Sequence, residues 1–178
     1  MLHNIRSAYN VGSIFRTADA AGISKLYLCG YTPTPLNEKV KKTALGAEKS
    51  VPWEHFRQTW RLLEKLKKEG VQIIALEQTK KSVDYRLFKP RLPLALVLGN
   101  EIKGLNPAIL KYCDQAIEIP MGGKKESLNV SVAAGIAVFK IAERANKKKP
   151  APGAGDNANF GAIIFLRRKK GRVESGRD

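Results

Sequence analysis

LALVLGNEIKGL, residues 94–105, decides the fold. Five apolar residues run unbroken from Leu94 to Leu98, and Gly99-Asn100-Glu101 follows at once. A strand that is apolar on both faces belongs inside a parallel sheet covered by helices on either side. Two other runs share the pattern: Val71 to Gln78 (VQIIALEQ), and Ala116 to Ile119 (AIEI), which Pro120 cuts. Lys25 to Cys29 is a further short strand, and Tyr31 to Pro35 is a loop because its two prolines cannot sustain a ladder. Ala8 to Ala21 reads as a helix, with Val11, Ile14, Phe15 and Ala18 at helical spacing, Ser7 or Asn10 as its cap and Gly22 as its stop. Trp60 to Glu69 is a helix ended by Gly70, and Pro107 to Tyr112 a short one opened by its proline. Leu128 to Ala145 is a long helix, small and apolar on most faces, and so expected to be well buried. Glu38 to Ser50 is polar and reads as a lysine-bearing loop region. Strands alternating with helices predict an α/β fold with a mostly parallel sheet flanked by helices.

The composition bounds the function. The 178 residues carry 32 Lys and Arg against 16 Asp and Glu, a formal net charge of +16. Such a surplus attracts polyanions and supplies phosphate affinity without sequence preference, whereas the plain alternative is a charge that only keeps the chain soluble. Residues 141–178 hold 10 of the basic and 4 of the acidic residues, so the remainder is strongly basic by itself. No run approaches the ~18 apolar residues of a membrane span, and the first residues lack an apolar signal core. A cytoplasmic location with no membrane partner is therefore expected. Cys29 and Cys113 match no metal-ligand spacing, so no metal site is expected.

Ligands of open α/β sheets bind beyond the carboxyl ends of the strands. Three loops qualify: Glu77-Gln78-Thr79, Gly99 to Gly104 (GNEIKG), and Pro120 to Asn129 (PMGGKKESLN). Two carry glycine, which lets the backbone approach a ligand closely. The third runs into a helix and leaves free N–H groups at its end. Together they describe a pocket lined by main chain and suited to a nucleoside; for either glycine loop alone, turn geometry explains the glycines as well. A P-loop is excluded, because Leu105 stands where its lysine should be, and no GxGxxG is present.

Three blocks in series carry a resemblance. NIRSAYNVGSIFRTADAAG (4–22) has an Asn-x-Gly…Arg pattern opening a helix. LALVLGNEIKGL (94–105) runs from a strand into Gly-x-Glu-x-x-Gly-Leu. IEIPMGGKKESLNVSVAAGIAVF (117–139) leads from Ile-Pro-Met to Ser-Leu-Asn-Val-Ser and a final helix. In this order and at this spacing, the chain resembles the SPOUT superfamily of RNA methyltransferases, in its SpoU/TrmH branch. The resemblance implies a SPOUT-type fold with a C-terminal trefoil knot and S-adenosylmethionine as methyl donor. It further implies a ribose 2′-hydroxyl of tRNA or rRNA as acceptor, and a homodimer with its site near the subunit interface. Residues 1–145 would form the methyltransferase domain, and 146–178 a basic tail containing Gly, Pro and Lys.

Carried over position by position, the resemblance assigns the cofactor pocket to Leu76, Gly99, Ile119, Met121 and Leu128. For the apolar residues the plain alternative is core packing. The implied catalytic residues are Arg16, Asn129, Glu101, Ser127 and Asn10. Arg16 suits a phosphate clamp through its bidentate fork, and its permanent charge makes a base role awkward. Glu101 would position Arg16 or fix its own loop; Asn10, Ser127 and Asn129 are equally suited to cap helices. Arg6, Lys41, Lys42, Lys124 and Lys125 are the expected RNA contacts, which position a backbone without reading sequence. Tyr9, Tyr31, Trp53 and Phe56 are available for base stacking, and His3 and His55 receive no role. The first block begins almost at Met1, so substrate recognition is expected from the catalytic domain, its dimer partner or the tail. Rival readings are an RNA-binding module of this fold without catalysis, and a relative that methylates a base.

Overall fold

The computed structural model describes residues 1–146. Seven strands form one sheet in which every pairing is parallel. They are β1 (Leu2–His3), β2 (Leu26–Cys29), β3 (Trp53–Phe56), β4 (Gln72–Leu76), β5 (Val83–Asp84), β6 (Leu94–Leu98) and β7 (Gln115–Glu118), in the spatial order β3-β2-β1-β6-β4-β7-β5. All five residues of β6 are buried, as the run of apolar side chains requires. Its neighbour β4 pairs over its whole length, from Gln72 opposite Leu94 to Leu76 opposite Leu98. Because the sheet is parallel, the carboxyl ends of β1, β2, β3, β4, β6 and β7 share one edge.

Six helices accompany the sheet: α1 (Ala8–Ala20), α2 (Glu38–Ala44), α3 (Ala47–Ser50), α4 (Thr59–Lys68), α5 (Pro107–Leu110) and α6 (Val130–Asn146). Of the two cap candidates for α1, the Ser7 hydroxyl does the work, accepting the Asn10 N–H at 3.2 Å. None of the described helices is long and apolar enough to cross a membrane.

The region expected as a loop at 38–50 is helical instead. Asn37 caps α2 by accepting the Lys39 N–H, and Val40 and Ala44, four residues apart, bury one side of an otherwise lysine-rich turn. Strands β1, β3 and β5 add to the expected sheet; two are dipeptides, and WEHF of β3 is only half-buried, so none shows an apolar run. Helix α6 is less buried than expected, since Val132 and Phe139 stand about half exposed. His3, given no role above, is buried and its Nδ1 lies 2.7 Å from the Thr59 hydroxyl, tying β1 to the first turn of α4. Most of the expected tail lies outside the described residues.

Helix α1 packs on α2, α3 and α6. Its contact with α2 passes through Gly12, where an added Cβ would lie 1.9 Å from the Thr43 hydroxyl and 2.5 Å from the Val40 carbonyl. The carbonyl cannot swing aside, so the helices must part. Gly12→Ala is expected to cost about 1–3 kcal/mol of stability, read by urea unfolding.

Candidate active site

The loops following β4, β6 and β7 converge on a cleft of about 410 Å³. Leu76, Gly99, Ile119, Met121 and Leu128 all line it, as do Glu101 and Ser127. The five residues that the resemblance assigns to the cofactor pocket and two of the catalytic candidates therefore meet in one space. Four carboxylates, Glu77, Glu101, Glu118 and Glu126, line the same space, and no Lys or Arg among the described residues does. Such a site favours a cation over a phosphate.

Two residues without an assigned role build the walls. The Asn100 side chain is buried; its carbonyl oxygen accepts the Ile102 and Lys103 N–H groups at 3.0 and 2.9 Å, and its amide donates to the Asn4 carbonyl at 2.9 Å. Glu77 accepts the Leu105 N–H at 2.7 Å, tying the β4 loop to the β6 loop. Gly99 faces the cleft, but its lack of a side chain serves the loop itself. A Cβ there would lie 2.4 Å from the Gly104 carbonyl carbon and 2.6 Å from the Leu105 nitrogen. The Asx-type turn at Asn100 was readable from its Asn-Glu-x-x-Gly setting, whereas the reach of Glu77 to Leu105 had no local signal.

Glu101 makes the decisive contacts. Its carboxylate accepts the backbone N–H groups of Arg6 at 2.8 Å and Ser7 at 3.0 Å, and the Asn10 amide at 3.0 Å. The expected alternative, contact with Arg16, is not made. Asn10 in turn accepts from the Asn129 amide at 3.1 Å, and the Asn129 oxygen accepts the Ser131 N–H and hydroxyl at 2.8 and 2.6 Å. Asn129 thus caps α6 while reaching the first block. A relay of side chains links all three blocks that the sequence placed in series.

Arg16 is not part of this group. It is exposed on α1 and lines a separate shallow hollow with Asp19, Leu45 and Phe139. The expected RNA contacts Arg6, Lys41, Lys42, Lys124 and Lys125 are all exposed, and Lys41 is paired with Glu38 at 2.6 Å. Burial pushes the thiols of Cys29 and Cys113 up to about 11, so neither is a thiolate nucleophile at neutral pH.

The sequence profile of the SpoU rRNA methylase family matches residues 1–139. This chain belongs to the SpoU rRNA methylase family. Among SpoU relatives, YacO of Bacillus subtilis, named for the TrmH family of tRNA/rRNA methyltransferases, is 34% identical over 82% of this chain and 58% of its own length. The 23S rRNA (guanosine-2′-O-)-methyltransferase RlmB of Escherichia coli is 35% identical over 79% of this chain and 57% of its own. The chain thus spans less than two thirds of these SpoU proteins. The crystal structure of an AdoMet-bound rRNA methyltransferase from Sinorhizobium meliloti superposes with a TM-score of 0.75, at 32% identity, over 80% of this chain and 54% of that one.

Burial alone would raise the Glu101 carboxyl, but the Arg6 and Ser7 N–H groups and the Asn10 amide outweigh it and hold the group below the ordinary glutamate range. A folded value below the unfolded one adds stability that is complete above the ordinary glutamate range and lost as pH falls through the folded value. Glu101→Gln is expected to be less stable than wild type at pH 7, with the gap closing in acid. Urea unfolding of both proteins from pH 7 to pH 3 reads this.

Proposed function

We propose that this SpoU-family chain transfers a methyl group from S-adenosylmethionine to a ribose 2′-hydroxyl of tRNA or rRNA, as a homodimer. One observation carries the reading: a cleft walled by four carboxylates and by no basic side chain among the described residues, with the Glu101–Asn10–Asn129 relay running from its lining. The residues fit the methyl donor. Strand-end main chain and the apolar side chains of Leu76, Ile119, Met121 and Leu128 suit an adenine, and the carboxylates suit a positive sulfonium and amine. When bound, S-adenosylmethionine supplies an activated methyl group on a cationic sulfur.

The chain's own residues then have to hold the acceptor. Asn10 and Asn129 are fixed to each other and to Glu101, so what remains of their amide capacity is aimed before an RNA arrives. Ser127 lines the cleft two residues before Asn129 in the chain, and its hydroxyl suits a hydrogen bond to the acceptor ribose. Holding hydroxyl and methyl in line accounts for several kcal/mol of such a barrier. Arg16 serves as the electrostatic anchor for a neighbouring phosphate through its fork. Arg6, Lys124 and Lys125, exposed beside the cleft loops, suit further phosphate contacts.

The position of Arg16 supports the homodimer. Phe139 and, seven residues earlier on α6, Val132 are half exposed, and Leu45, 70% exposed, lines the same hollow as Phe139. Apolar groups gathered in this way suit burial against another protein surface. Because Arg16 shares that hollow and not the cleft, a site that uses Arg16 is completed across the subunit boundary.

Three measurements test the reading. Calorimetry with S-adenosylhomocysteine is expected to detect one binding event per chain, and Gly99→Val to abolish it. Asn129→Ala is expected to lower methyl transfer from labelled donor to bulk RNA about 10–100-fold, with nucleoside mass spectrometry finding ribose-methylated products in the wild-type reaction. Phe139→Asp is expected to sediment as a monomer and to lose transfer; base-methylated nucleosides as the only product would overturn the ribose assignment.

A further inference from the structure

We propose that the carboxyl edge of the sheet, running from the cleft past β1 and β2 to β3, is a track for single-stranded RNA flanking the methylated nucleotide. This rests on the RNA methyltransferase reading and adds the direction and the form of the substrate. Along the edge the strand order away from the cleft is β6, β1, β2, β3. Arg6 lies three residues past the end of β1, Tyr31 two past the end of β2, and Arg57 directly after β3, with Trp60 and Arg61 in the first turn of α4.

The rings are exposed yet held. Tyr31 is 60% exposed, but its hydroxyl accepts from the Asn100 amide at 3.0 Å and its backbone N–H donates to Asn4 at 3.2 Å. The same Asn100 orders the cleft loop, so the Tyr31 ring is positioned by the reaction site. Next to it, a His55 ring nitrogen lies 2.8 Å from the Gly30 carbonyl and joins the β2 and β3 ends. Trp60 is 40% exposed, with the Arg61 guanidinium 5.3 Å from its ring centre, and Thr59 is anchored by His3. Pre-positioned rings stack bases at low entropic cost and without sequence preference.

The charge agrees. Residues 4–7, 30–37 and 57–61 contain Arg6, Arg57 and Arg61 and no Asp or Glu, in contrast to the acidic cleft. Three strand steps of ~4.8 Å span ~14 Å, room for about four stacked nucleotides at ~3.4 Å each. Past β4 in the other direction stand Lys80, Lys81, Lys124 and Lys125, but no exposed ring among the described residues, a surface for backbone alone.

The test uses the full chain and a fluorescent twelve-residue oligoriboadenylate, with a twelve-base-pair RNA duplex beside it. Tyr31→Leu/Trp60→Leu is expected to weaken single-strand binding at least tenfold and duplex binding less than threefold. Arg57→Gln/Arg61→Gln is expected to flatten the slope of log affinity against log salt by about 1.4. Unchanged single-strand affinity in the ring variant, an unchanged slope in the charge variant, equal losses for the duplex, or no oligomer binding by the wild-type chain would each overturn the track. Wild-type protein that fails to bind S-adenosylhomocysteine instead sinks the methyl-transfer reading, so the two failures are told apart.

Discussion

The carboxylate of Glu101 accepts two backbone N–H groups and one amide from the segment Arg6 to Asn10, more than 90 residues earlier in the chain. Those N–H groups lie just before α1 and at its cap, where no helical carbonyl reaches them, and without the carboxylate water would have to replace it. An ionised acceptor bonds such donors about twice as strongly as a neutral one. The orientation of α1 relative to the strand-end loops, and through Asn10 the start of α6, follows from this single group. The cleft, the relay and the seat of Tyr31 are built on the same two neighbouring residues, Asn100 and Glu101.

Charge is sorted by place. The chain is strongly basic, yet its cleft is walled by glutamates, and the described basic side chains stand outside it. The proposed cationic donor and polyanionic acceptor ask for opposite fields, and the carboxylates line the cleft while Arg6, Lys124 and Lys125 are exposed beside its loops. In the proposed reaction this arrangement would draw RNA to the surface around the cleft without filling the cleft with phosphate.

The apolar runs of β4 and β6 and the helical spacing of α1 were legible because burial on both faces, or on one stripe, leaves a periodic trace. The dipeptide strands β1 and β5 leave none; they exist because neighbours offer them free edges. Helix α2 was missed because only Val40 and Ala44 are buried in a run of lysines, and two apolar positions do not make a pattern. At the site, the three strand-end loops that meet at the cleft were legible from apolar runs and glycines, whereas the individual residues Leu76, Gly99, Ile119, Met121 and Leu128 came from the resemblance. The partners of Glu101 were not, since hydrogen bonds across such sequence distance follow from the fold and not from spacing. The position of Arg16 was likewise hidden: its place on α1 is periodic, but which surface that side of the helix meets is a property of packing.

The sheet also has a seam. Its β3-β2-β1 half is complete within the first 56 residues, while its other half begins with β4 at Gln72, and the two join where Met1 and Leu2 meet Leu96 and Leu98. Bringing such distant residues together is entropically demanding and slow. On a ribosome, the free side of β1 therefore waits through the synthesis of some forty further residues before β6 emerges to cover it. A dipeptide edge gives a passing strand little to pair with, so the brevity of β1 guards the nascent chain against mispairing during that wait.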